Sequence, residues 1–89
     1  MISLRIDLQE GFSEDEVAIT VDGSEIFRAK RVTTDYSIGL ARSVELEVPV
    51  GLVEVGVEIP TVDVSETIAL EVSEETQLAV AKTEDGITF

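Results

Sequence analysis

Apolar residues fall on alternate positions along most of the chain. Ile2, Leu4, Ile6 and Leu8 share one side of the first segment, with Ser3, Arg5 and Asp7 on the other. A period of two is that of a half-buried β-strand, whose successive side chains point to opposite faces. The same alternation puts Val17, Ile19 and Val21 inward, and that segment ends at Asp22-Gly23. Asp-Gly readily adopts the two positive φ angles of a type I′ turn, so residues 24–29 should return antiparallel. Further along, Val44, Leu46 and Val48 form one inward row and Val53, Val55, Val57 and Ile59 the next, with Pro49-Val50-Gly51 as the turn between them. Pro60 has no N–H to give to a ladder and ends that strand. A link through Val62 and Val64 leads to Ile68, Leu70 and Val72, then to a turn at Ser73-Glu74-Glu75. Leu78 and Val80 continue the inner row, Glu84-Asp85-Gly86 turns again, and residues 87–89 form a last short strand.

Two segments break the rhythm. Residues 9–15 read as a polar connection containing Gly11, whose one large apolar residue, Phe12, should plug an end of the fold. Residues 30–42 fit neither a clean strand nor an amphipathic helix, and predict an irregular strand or a crossover between sheets, with Gly39 permitting a bend. Short strands with turns every eight to twelve residues or so predict an all-β fold, an antiparallel β-sandwich of seven or eight short strands, immunoglobulin-like or transthyretin-like in layout. Without linker or repeat, residues 1–89 read as a single β-sandwich domain. Its expected core is Ile6, Ile19, Val21, Leu46, Val48, Val55, Val57, Leu70 and Val80.

Composition agrees with sheet and narrows the chemistry. Val, Ile and Thr fill 29 of 89 positions, and such β-branched side chains suit a pleated surface better than a helix. A mean hydropathy of +0.23 is too high for charge-driven disorder. Nineteen acids against six bases give a net charge of −13, and a surface this negative repels phosphate backbones, so no nucleic-acid partner is expected. With neither Cys nor His, disulfides, thiol chemistry, Cys/His zinc sites and histidine catalysis are excluded. No apolar run suggests a signal peptide or a membrane span, so the reading is of a cytoplasmic protein with no membrane insertion.

The order of parts resembles a known family. The run Val17-Ala18-Ile19-Thr20-Val21-Asp22-Gly23, then 44–48, Pro49-Val50-Gly51 and 53–59, is similar to small transthyretin-like sandwiches, including PEGA and carboxypeptidase-regulatory-like modules. The likeness spans roughly residues 17–83 and implies a noncatalytic accessory or interaction module. It transfers no functional residue. The Gly-x-x-Pro element that PEGA modules carry after the first turn is missing, and 28–42 runs longer and more basic.

Charge placement offers the main candidate. Arg28, Lys30, Arg31 and Arg42 are four of the six bases, whereas residues 43–89 hold one base, Lys82, and eleven acids. The four would either dock a carboxylate or phosphate group of a partner or pair with glutamates of a neighbouring strand. Phe27, Tyr36 and Ile38, in or beside the same segment, read as a protein-binding tip or as an ordinary plug. The partner-binding residues expected are therefore Arg28, Lys30, Arg31, Tyr36 and Arg42.

Elsewhere, Glu45, Glu47, Glu54 and Glu58 read as one outer acidic face on paired strands, serving solubility and edge protection. The turn acids Glu14-Asp15-Glu16, Glu74-Glu75 and Glu84-Asp85 lack calcium-loop spacing, so no metal and no cofactor is expected. Ser13-Glu14-Asp15-Glu16 also suits a capping box for one helical turn. Lys30 and Lys82, each at the polar edge of its segment, should stay unburied, which leaves no activated amine and favours a noncatalytic chain. The function expected is a small acidic protein-interaction or accessory module, monomeric or weakly homo-oligomeric. The alternatives are a self-assembling structural β-domain, with 2–8 or 87–89 as pairing edges, or a ligand- or calcium-binding domain.

Overall fold

The alternating pattern becomes eight strands: β1 (Ile2–Leu8), β2 (Asp15–Val21), β3 (Ser24–Val32), β4 (Arg42–Val48), β5 (Gly51–Ile59), β6 (Val64–Val72), β7 (Thr76–Thr83) and β8 (Gly86–Thr88). A computed structural model describes residues 1–89 in full. The strands form two four-stranded sheets, one ordered β4-β1-β7-β8 and the other β3-β2-β5-β6. Apolar rows of both sheets meet in one cluster of 15 buried residues, including Leu4, Ile6, Leu8, Ile19, Val55, Val57 and Val80. Phe12 is buried in that cluster, as its position in a polar connection suggested. Six of the nine expected core residues are fully buried, while Val21, Leu46 and Leu70 are only partly covered. Leu46 and Leu70 sit on edge strands and so lack a neighbour on one side, while Val21 is the last residue of β2, beside the turn.

Connections at one end of the strands are 9–14, 33–41, 60–63 and 84–85; those at the other are 22–23, 49–50 and 73–75. We call these the first and second ends. At the second, the Asp22-Gly23 turn has φ of +50° and +85°, the type I′ geometry its sequence favours. Pro60 opens a 3-10 turn, Pro60–Val62, that stops β5.

Four expectations are corrected by the sheet order. The sandwich is not wholly antiparallel, because β1 runs parallel to β7 (Ile6 opposite Leu78). Pro49–Val50 is no hairpin turn: it carries the chain from β4 in one sheet to β5 in the other. Glu45 and Glu47 therefore do not share a face with Glu54 and Glu58, and instead Glu45 sits opposite Arg5 on β1. Residues 2–8 form an inner strand between β4 and β7, so they offer no free edge. Nor is there a helical turn at Ser13-Glu14-Asp15-Glu16: Asp15 opens β2 directly, where its carboxylate finds partners of its own.

Candidate protein-binding surface

Strands β3 and β4 are the corresponding edges of the two sheets, joined by residues 33–41 at the first end. The segment that fits no regular pattern is this crossover together with the irregular end of β3. Two register shifts interrupt the β2–β3 ladder, where Val17 faces Ala29 but Asp15 faces Val32, and where Ile19 faces Phe27 but Thr20 faces Glu25. Each adds one residue to β3, so Ile26 and the Lys30-Arg31 step are bulged, and Arg31 takes a left-handed φ of +57°. Bulges bend a strand and re-aim its side chains, and here they turn the basic stretch away from regular pairing.

The crossover ends in a tight tip built by Asp35. Its carboxylate accepts hydrogen bonds from the Ser37 N–H (3.0 Å) and hydroxyl (2.6 Å), and its carbonyl accepts the Gly39 N–H at 2.8 Å. The Ser37 hydroxyl and N–H hold the Asp35 carboxyl below its ordinary pKa. Gly39, at φ +68°, lets the chain turn back toward the Asp35–Leu40 bridge. Self-bonding of this kind fixes a loop without covering its side chains, so Tyr36 and Ile38 stay 72% and 69% exposed. The Gly11 N–H donates to the Tyr36 hydroxyl at 3.3 Å, which orients the ring over the first end.

The basic residues divide. Arg28 faces the outer side of its sheet and is paired with Glu16 on β2 and with Glu25 (2.7 Å) on its own strand. The hydrogen bonds it donates to both carboxylates, Glu25 foremost, raise its pKa further, so it acts as a sheet-surface pair and drops out of the candidate surface. Lys30, Arg31 and Arg42 form no ion pair within 4.0 Å. Arg42 instead lies 5.8 Å from the centroid of the half-buried Phe27 ring, a cation–π contact that bridges the two sheet edges. Lys30, Arg31 and Arg42 thus lie near the first-end termini of two sheet edges, β3 and β4, that the crossover bearing Tyr36 and Ile38 joins, and the Phe27 ring lies beside Arg42; this junction is the β3–β4 corner.

Sequence reasoning missed two polar clusters. Asp15, buried at the same end, accepts hydrogen bonds from the Ser13 N–H, the Thr61 hydroxyl and the Lys82 ammonium, each at 2.9 Å. Burial acts to raise its pKa, but these donors outweigh it and hold the carboxyl below its ordinary value. The Lys82 side chain is only 19% exposed, contrary to the expectation that it would stay outside, because it must reach inward to Asp15. On the outer face of the other sheet, buried Asp7 accepts from Ser43 on β4 (2.6 Å), Arg5 (2.9 Å) and Gln77 on β7. Burial again opposes and the Ser43, Arg5 and Gln77 hydrogen bonds prevail, so the Asp7 pKa also lies low. Both carboxylates stitch neighbouring elements together, and no buried side-chain nitrogen or oxygen is left without a hydrogen-bond partner. Their sequence signal was slight: one acid inside an acidic run, and the only base after position 42.

The remaining surface is open. A shallow groove crosses the outer face of the second sheet over Ala18, Thr20, Gly56, Ser65 and Thr67. No three acidic side chains gather closely enough to hold a metal ion, and no helix is long and apolar enough to cross a membrane. Compared with protein-family models, curated proteins and solved structures, the chain finds no match.

Proposed function

We propose that this chain is a small acidic, noncatalytic interaction or accessory module that binds an acidic protein segment at the β3–β4 corner. The observation that carries the reading is the collection of three unpaired cations beside two exposed apolar side chains. In a chain with three times as many acids as bases, three bases that meet no carboxylate stand out, and Arg28 on the same strand as Lys30 and Arg31 is paired twice. Exposed aromatic and aliphatic groups ringed by arginine have the make-up of protein-binding surfaces, in which Tyr and Arg carry much of the energy. Of the two sandwich layouts, the transthyretin-like one is our choice. Its support is that β1 and β2 lie in different sheets, whereas an immunoglobulin layout pairs its first two strands in one.

The test is affinity capture with the parent chain, with a Lys30→Glu/Arg31→Glu/Arg42→Glu variant, and with Thr67→Glu as a control on the far sheet face, all checked for folding by circular dichroism. A protein held by the parent and the control but lost by the folded triple variant is the expected result. Equal capture by all three would refute the reading.

A further inference from the structure

Exposed apolar side chains gather a second time, at the opposite end. Val50, in the crossing between sheets, is 65% exposed, and Leu52, on the outer face of β5 opposite Glu71, is 75% exposed. The chain around them holds only acids: residues 47–54 and 71–76 contribute Glu47, Glu54, Glu71, Glu74 and Glu75, and the neighbouring turn adds Asp22. Asp22 is fixed to this patch, since its carboxylate accepts the Glu54 N–H at 2.9 Å. The two ends therefore carry matching devices of opposite sign. At the first, Tyr36 and Ile38 lie beside unpaired cations; at the second, Val50 and Leu52 lie within a ring of unpaired acids.

We infer that the acidic segment taken by the β3–β4 corner is the Val50–Leu52 end of another copy of this chain, so that copies stack end to end. This rests on the corner being a binding surface and names its partner. Charge complementarity decides the occupant, because the chain itself presents an apolar patch ringed by acids, the surface that the cationic corner fits. Of the acids at the first end, Glu10, Glu14, Asp63, Glu84 and Asp85 lie on other loops, and Asp35, in the tip itself, has its carboxylate engaged by the Ser37 N–H and hydroxyl. Pairing through three of the four sheet edges is hindered by other means. Strand β3 is bulged twice, β8 has three residues, and Glu66 on β6 occupies the apolar row opposite Val57. Since the two surfaces differ, the contact is head-to-tail and grows into an open chain unless its rotation closes a ring.

Sedimentation velocity over a wide concentration range tests this with two charge-swapped variants. One carries Lys30→Glu/Arg31→Glu/Arg42→Glu; the other carries Glu54→Lys/Glu71→Lys/Glu74→Lys. The parent should gain mass with concentration and lose it at high salt. Each variant alone should stay monomeric, because the charges that attract one end to the other have been reversed at one of them, and an equimolar mixture should recover association. If a variant misfolds by circular dichroism, Tyr36→Ser/Ile38→Ser and Leu52→Ser take its place, each expected to weaken association of the parent. A parent that stays monomeric at every concentration, or a mixture that does not associate, overturns the inference. Should that monomeric parent still lose a captured protein through the triple variant, the interaction reading survives without its self-docking partner. Equal capture by parent and variant would remove both.

Discussion

Lys82 and Lys30 are the only lysines in the chain, and both belong to the first end of the sandwich. Lys82 turns inward to buried Asp15, within a network that also holds Thr61 and the Ser13 N–H. Lys30 sits on a bulge, in solvent, beside Arg31 and Arg42, and meets no carboxylate. The difference is one of topology. Asp15 opens an inner strand and needs a counter-ion from across the sandwich, whereas an edge strand bulged away from its neighbour cannot offer Lys30 an acid in register. Half of the six bases are thus paired with carboxylates and half stand free, and the free ones flank the crossover that bears Tyr36 and Ile38.

The most damaging change to the clamped region should be Gly11→Ala. Gly11 has φ +90°, and a Cβ there would run into the Lys82 carbonyl. Strain and displaced backbone together should cost roughly 3–5 kcal/mol in urea unfolding. Next comes Lys82→Met, which leaves Asp15 buried without its cation and should cost about 2–4 kcal/mol, while Asp15→Asn/Lys82→Met should regain much of that loss.

Acid sharpens the comparison further. Asp7 and Asp15 have folded pKa values below 3.8, so the folded state takes up their protons later than the unfolded chain does. Their contribution is complete above the unfolded pKa and is lost as pH falls through the lower folded value. Stability measured down to about pH 2 should fall less steeply in Asp7→Asn and Asp15→Asn than in the parent. Smaller still, Lys30→Glu/Arg31→Glu/Arg42→Glu should change stability by about 1 kcal/mol or less, as exposed groups do. Smallest is Phe27→Leu, which removes the ring beneath Arg42 and should cost about 0.5 kcal/mol beyond its packing loss in a double-mutant cycle with Arg42→Ala.

Strand positions, the Asp22-Gly23 turn and the Phe12 plug were legible because each is written within a few neighbouring residues. What joins to what was not. Period-two alternation reads alike for a hairpin and for a crossing between sheets, so Pro49-Val50-Gly51 looked like the first and is the second. The parallel β1–β7 pair sets Leu4 against Thr76, and no local signal spans such a separation. The corner was half legible. Clustering of bases pointed to it, but only the β2–β3 register could show that Arg28 is neutralised by Glu16 and Glu25 while Lys30 and Arg31 are bulged free. The Asp15–Lys82 clamp joins positions 67 residues apart and lay hidden among turn acids.

The division of the cations is tested most directly by melting two variants side by side, Lys82→Met and Lys30→Glu/Arg31→Glu/Arg42→Glu. At roughly 4–8 °C per kcal/mol for a domain of this size, Lys82→Met should melt about 8–32 °C below the parent, with the triple variant no more than about 8 °C from it and well above Lys82→Met. A triple variant that melts as low as Lys82→Met would mean that the corner cations hold the fold together and do not stand free for a partner.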